Sequence, residues 1–333
     1  MEKSVLRLFY QIVCLLWKNA EGRLFFVLNR VLKRIVISVP VLIGVVLAIF
    51  IMLRIVPGDP VTTMMGEHVN PAVIEKISRE MGLDQPVIVQ FFKYVFNALR
   101  GDFGTSYRLN RNVTQIILDA FPNTVRLSLM AAAVAWLIGI VAGVVAAVRQ
   151  NKLLDRMFMG CALMGVSMPV FMTALILQYV FAFKLKWFPV SGYDSWKAMV
   201  LPAIALGWNS AGSIARMTRS NLVEIMQNDF IRTARAKGLM EKGVILKHAL
   251  KNAMLPVVTM MALQFSSMLS GAVLTESVFG VPGIGRLAVN GIETRDMPLL
   301  QGTVVFTTIL IIAGNLIADL LYNVLDPRIR EGA

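Results

Sequence analysis

The sequence predicts an all-α polytopic membrane protein with six core transmembrane helices, and three observations carry that prediction. Of its 333 residues, 56% are hydrophobic and only 16% charged, whereas a soluble domain carries about 25% charged residues. Six predominantly apolar runs, Ile35 to Ile55, Thr124 to Val148, Phe158 to Phe183, Met199 to Ile214, Ala253 to Thr275 and Thr303 to Leu325, approach the roughly 20 residues that cross a hydrocarbon slab about 30 Å thick as helix. The ten-residue alternation of a membrane barrel is missing, so backbone groups in lipid are satisfied within each helical span. This composition excludes an ordinary soluble enzyme. The net charge of +13 fits membrane flanks better than nucleic acid, because the basic residues stand beside long apolar spans.

Residues 1–30 precede the first span as an extension. Leu8 to Trp17 is apolar or neutral, too short to span, and lacks a small-x-small cleavage site. It reads as an interfacial helix on the inner leaflet, with Arg7, Lys18 and Arg23 at lipid head groups. The first span, residues 31–56, stops at Pro57-Gly58-Asp59-Pro60, where two prolines and a glycine disfavour continued helix.

Residues 57–121 then form an external segment with two amphipathic helices. Asn70 caps the first, Pro71 opens it and Gly82 ends it. Ile74, Ile77 and Met81 share its face, and Glu75/Arg79 and Lys76/Glu80 pair at i,i+4. The second, Val87 to Leu99, places Ile88, Phe91, Val95 and Leu99 on one stripe. Such a cap meets an outside partner or roofs the bundle.

Residues 122–325 hold the remaining five spans. Ala135, Gly139, Gly143 and Ala147 repeat every fourth position in the second span, a small-residue stripe that lets a neighbouring helix approach closely. Pro169 predicts a kink in the third. Polar groups recur at helical spacing in the last three: Asn209, Ser213 and Arg216; Gln264 and Ser267; Thr308, Asn315 and Asp319. Polar side chains facing lipid are costly, so Asn209, Ser213, Gln264, Ser267 and Asn315 are translocation-path candidates, with interhelical hydrogen bonding the competing role. Most of the 33 Lys and Arg fall in segments that share one side, which places both termini in the cytoplasm, including the 326–333 tail.

No catalytic or metal set is apparent. Cys14 and Cys161 both lie in apolar runs, and His68 and His248 fall on opposite sides of the membrane in this topology. There is no H-E-x-x-H, G-x-S-x-G or G-x-x-x-x-G-K-[ST] pattern. Gly280-Val281-Pro282-Gly283-Ile284-Gly285 lacks a phosphate-binding lysine. The chain therefore carries no cofactor or ATP site of its own.

The loop at residues 217–252 is the most informative stretch. Asp229 caps a short helix, Phe230 to Lys237, that Gly238 ends, and a second helix begins near Glu241 and continues through His248 into the fifth span. Phe230 and Ala234 share a face, with Lys237 next to them and Arg232 and Arg235 alongside. Phe230, Ile231 and Leu239 make the loop too apolar for a purely solvated role, which points to docking.

Here the sequence resembles a known family, the B-type permease subunits of ABC importers in the dipeptide, oligopeptide and nickel branch. The resemblance rests on Arg232-Thr233-Ala234-Arg235-Ala236-Lys237-Gly238, His248 to Ala253 and Leu255-Pro256. It extends to Pro57-Gly58-Asp59-Pro60, Leu83-Asp84-Gln85-Pro86, Gly101-Asp102-Phe103-Gly104, Arg216-Met217-Thr218-Arg219, and Glu276 through Phe279 with Pro282 through Arg286. The broader importer signature has a glutamate where this chain has Arg232 and an alanine where it has Thr233; Pro256 also lies farther from Gly238 than in that signature, as the branch itself shows.

The resemblance implies the type I ABC-importer transmembrane fold, in a bacterial inner membrane. It implies as partners a second homologous permease, two cytosolic ATPase subunits that hold ATP and Mg, and an extracytoplasmic solute-binding protein. Phe230, Arg232, Ala234, Arg235 and Gly238 would form the coupling contact with an ATPase, and Asp102, Phe103, Pro282 and Gly283 the candidate contact with an external partner. The implied cargo is a di- or oligopeptide, with nickel chelates, glutathione and oligosaccharides as alternatives. A lone secondary transporter or channel is the rival of another class, but inverted repeats and an ionisable midplane are not apparent. An intramembrane hydrolase has no base for Ser213 or Ser267.

Overall fold

The computed structural model describes residues 32–55, 71–80, 82–106 and 108–325. The readings made on residues 1–30, the Pro57 to Pro60 stop, His68, Asn70, Met81 and the 326–333 tail lie outside the described residues. Two units divide the chain after Gly44, and of the first only residues 32–44 are described, as helix. Helix α1 covers Leu32–Ile55. Next come α2 (Pro71–Glu80), α3 (Val87–Leu99), and a minimal antiparallel pair, β1 (Thr105–Ser106) and β2 (Arg111–Asn112), in which Thr105 faces Asn112. The remaining helices are α4 (Val113–Val148), α5 (Leu153–Ser167), α6 (Val170–Lys184), α7 (Trp196–Ile225), α8 (Asp229–Ala236), α9 (Glu241–Leu269), α10 (Val273–Phe279), α11 (Ile284–Glu293) and α12 (Met297–Leu325).

Among the described residues α1, α4, α7, α9 and α12 are long and apolar enough to cross a membrane, and α5 with α6 makes a sixth span when taken as one. That pair corrects the third predicted span. Met168 and Pro169 do not merely kink it: the halves meet at 106°, and each 15-residue half is only about 22 Å long. The other boundaries also move. Helix α4 starts at Val113, eleven residues before the apolar run, because the Asn112 side chain accepts a hydrogen bond from Thr114 N at 2.8 Å and caps it. Helix α7, the weakest prediction, runs for 30 residues with Ser195 as its cap. Helix α9 stops before the predicted end because the chain reverses at Gly271, whose φ is +111°.

The central seam joins α4 to α7. The predicted small-residue stripe is buried there, Ala135 and Ala147 almost completely. A methyl group on Gly143 would lie 2.6 Å from the Ala215 carbonyl oxygen, and one on Gly212 would lie 2.4 Å from that of Ala162 in α5. Both distances are below van der Waals contact, so the backbones touch and glycine is required. Between transmembrane helices, where lipid is as apolar as leucine, such close packing is the main source of association.

The α3 stripe is corrected too. Ile88 and Leu99 are exposed, while Phe91 turns inward onto the buried Phe50 ring of α1, 5.3 Å away edge-on. The helix is amphipathic, but its inward face is rotated towards Gln90 and Tyr94. The Glu75–Arg79 pair on α2 is present.

Candidate functional site

The α7–α9 connection forms an elbow anchored from beneath. Helix α8 begins after Asn228, one residue earlier than the cap read from sequence, and Asp229 instead pairs with Arg232 from the first turn at 3.3 Å. Ile231 is fully buried and Ala234 nearly so, packed with Leu222 of α7, Val244, Ala249 and Ala253 of α9, and Ala147 at the end of α4. This corrects two expectations: Ala234 does not share an outward face with Phe230, and Ile231 is an anchor. The reason is geometric, since Ile231 and Ala234 at i,i+3 form the stripe facing the bundle.

Phe230, Arg232 and Arg235 remain on the outer side, together with Leu239 and with Met240, which is 82% exposed. Met240 was missed, although an apolar residue just past a helix-ending glycine was a usable signal. Gly238 has φ +74° and accepts the turn, while its N–H donates to the Arg235 carbonyl at 2.9 Å. Across that turn Arg235 holds Glu241 by two hydrogen bonds, at 3.1 and 2.7 Å. The elbow thus presents three apolar side chains and two arginines around a turn that Gly238 closes.

A charged strut stands behind the elbow. Arg219 of α7 donates through Nε and Nη2 to the Asp155 carboxylate of α5, at 2.6 and 2.7 Å, and Asn151 N donates to the same carboxylate at 2.8 Å. Asp155 is buried. A bidentate pair of this kind fixes orientation as well as distance, so it ties α7 to α5.

The path candidates do not converge on one face. Asn209 donates to the carbonyls of Gly165 and Val166 at 3.2 and 3.4 Å, tying α7 to α5, and the Ser213 hydroxyl donates to the Asn209 carbonyl at 3.5 Å. Asn209 thus bonds a neighbouring helix, whereas the Ser213 bond stays within α7. Ser267 and Asn315 are exposed on α9 and α12, and the buried Gln264 Oε1 has no partner among the described residues.

The other end is built around Glu276. Its carboxylate is fully buried and accepts from Thr124 Oγ1 at 2.8 Å and from Arg286 N at 3.0 Å, while Thr124 Oγ1 accepts from Ile284 N at 2.9 Å. A methyl group on Gly283 would fall 2.3 Å from that carboxylate. Gly283 is therefore buried packing for Glu276, and Pro282 gives its carbonyl to Asn123 Nδ2 at 3.1 Å. Of the other expected external contacts, Asp102 is exposed but Phe103 is buried, beneath Gly302 of α12. An acid at positions 276 to 286 was visible in the sequence, but its burial depends on α4 and was not.

Burial holds the Glu276 carboxyl above the ordinary glutamate range, against the pull of its hydrogen bonds. The folded state then binds this proton more tightly than the unfolded chain. The resulting stability is whole below the ordinary glutamate pKa and is lost as pH rises through the raised value. Thermal unfolding followed between about pH 4 and 8 should show that decline, and Glu276→Gln, which cannot ionise, should lack it.

Thr124 and Ala147 lie on α4 about 34 Å apart at 1.5 Å per residue, so the nest and the elbow occupy opposite ends of a span. Residues 139–331 match the family model of binding-protein-dependent transport system inner membrane components, and residues 24–128 match that system's membrane component N-terminal model. The chain is 42% identical to the glutathione transport system permease protein GsiC of Salmonella paratyphi A and 41% identical to that of Escherichia coli, over 91% of this chain and 99% of each relative. Two inward-facing structures of the MetNI methionine ABC transporter share the fold at TM-scores of 0.53 and 0.55 and 16% identity, covering 64% of this chain and 97% of theirs.

Proposed function

Because the chain belongs to the binding-protein-dependent transport system inner membrane components, and is the permease subunit of an ABC importer, we propose that it forms half of a translocation path for short peptides, with glutathione the leading cargo. The observation that carries the cargo is the 41–42% identity to glutathione permeases along nearly the whole chain. An importer permease works with ATPase and binding-protein partners; in this reading they are one homologous permease, two ATPases that carry ATP and Mg, and one extracytoplasmic solute-binding protein. Both termini and the α8 elbow face the cytoplasm, and the Glu276 nest faces outward.

Shifting a gate from 1:99 to 99:1 requires about 5.5 kcal/mol of differential binding. A subunit without a nucleotide site takes that bias through a contact. Phe230, Leu239 and Met240, exposed around the Gly238 turn with Arg232 beside them, support the elbow as the contact, and the Arg219–Asp155 strut supports transfer of the motion into the bundle. Gln264, Ser267 and Asn315 present amides and a hydroxyl suited to peptide backbone.

Reconstitution with both ATPases, the second permease and the binding protein tests this reading. Labelled glutathione or a tripeptide should accumulate only with ATP and all partners, and the purified chain alone should give no flux. Accumulation of nickel chelate or oligosaccharide in place of peptide would replace the cargo, and uphill transport by the lone chain would replace the class.

A further inference from the structure

We propose that a pocket between the end of α1, helix α3 and the start of α12 binds the carboxylate of a small solute; naming that solute a short peptide rests on the reading above. The cavity holds about 310 Å3, within the lower range of small-molecule sites. Its walls carry Arg54, Lys93, Tyr94, Asn97, Asp102 and Gln301.

Arg54 is held in place but not neutralised. The Arg54 carbon lies 3.4 Å from the centre of the Phe50 ring, and its guanidinium donates to the Phe50 carbonyl at 3.2 Å and to Gln90 Oε1. Gln90 is itself fixed by donation to the Leu83 and Gln85 carbonyls at 3.3 and 2.7 Å. Both acceptors of Arg54 are neutral, and a guanidinium has five donors. Neither Arg54 nor Lys93 has an ion pair among the described residues.

Tyr94 supplies an independent observation. Its hydroxyl is buried without a hydrogen-bond partner among the described residues, and a buried polar group left unmade is costly. An oxyanion in this pocket would satisfy the hydroxyl and the free donors together, because arginine matches a carboxylate in charge and in planar geometry. Asp102, exposed on the same wall, adds the opposite charge that an amino group meets. A fatty ligand would satisfy none of these groups, and a neutral polar one would leave the two cations without an opposite charge.

The test uses the full-length permease in phosphatidylcholine nanodiscs and compares binding of glutathione with that of its diethyl ester. The acid should bind more tightly by roughly 10- to 100-fold, the range of a hydrogen bond to a charged group. Arg54→Gln and Lys93→Gln should each remove most of that difference. Tyr94→Phe breaks no hydrogen bond among the described residues, so it should leave thermal stability unchanged while weakening binding of the acid by roughly tenfold. Equal binding of acid and ester, unchanged binding by all three variants, or displacement of glutathione by phosphatidylglycerol would overturn the proposal, the last by assigning the pocket to lipid phosphate. Uptake by the assembled importer is scored separately. Uptake without discrimination between acid and ester removes the pocket and keeps the function, whereas Arg54-dependent binding without uptake keeps the pocket and removes the cargo.

Discussion

Asp155→Asn should destabilise the permease by about 3–5 kcal/mol, the cost of leaving one member of a buried ion pair without its partner. The carboxylate is buried and Arg219 retains only 26% side-chain exposure, so solvent does not take over its role. Three donors converge on Asp155, two from Arg219 and one from Asn151 N. An amide can accept from only one of its two positions, so the variant also loses hydrogen bonds. Arg219→Gln should cost a similar amount, and the double variant should cost less than the sum, since two neutral groups leave no buried charge. Arg219→Lys should not restore the wild type, because an ammonium cannot reproduce the two-pronged contact. Thermal unfolding of the four proteins in detergent closes the cycle, and additive effects would show that the pair is not coupled.

How far such features can be read from sequence depends on whether their cause is local. Helix α3 has the predicted bounds because Pro86 and Arg100-Gly101 punctuate it. The elbow was legible for the same reason: Gly238 must end a helix, and the helix before it is short. The face of α8 was read wrongly at Ala234 because which stripe turns inward is decided by packing against α4, α7 and α9, which the short helix's own periodicity does not reveal. The 106° bend between α5 and α6 exceeds what one proline dictates, and the Gly165 and Val166 carbonyls beside it are met by Asn209 of α7, a partner remote in sequence. Asn209 itself looked like a lining residue since spacing shows that a polar group avoids lipid, not whether it meets water or backbone. Glu276 stood in a recognisable motif, yet its partners Thr124 Oγ1 and Arg286 N come from two other helices. The Arg54 and Tyr94 pocket joins α1, α3 and α12 and had no local signature.

Gly238→Val should leave the bundle folded and cut transport-coupled ATP hydrolysis by the assembled importer roughly 5- to 30-fold, the population change that corresponds to 1–2 kcal/mol. Nothing lies within 4 Å of a β-carbon built at Gly238, so a side chain meets no clash. The penalty is conformational: an L-residue at φ +74° pays about 1–2 kcal/mol for the left-handed region, and a β-branched one pays at the upper end. That cost is relieved by unwinding the turn, which frees the Arg235–Glu241 contact and lets Phe230, Leu239 and Met240 move relative to one another. Both charges of that contact are solvent-exposed, and an exposed pair is too weak to hold the turn against such strain. Ile231 and Ala234 remain buried under α7 and α9, so the loss appears in coupling and not in unfolding temperature. A graded series separates this cause from bulk. Asn, which tolerates positive φ, should retain most activity, Ala less and Val least, an order that differs from side-chain volume because Asn is far larger than Ala. Full coupling in the Val variant, or an order that follows size, would show that the shape of this turn does not transmit the ATPase stroke.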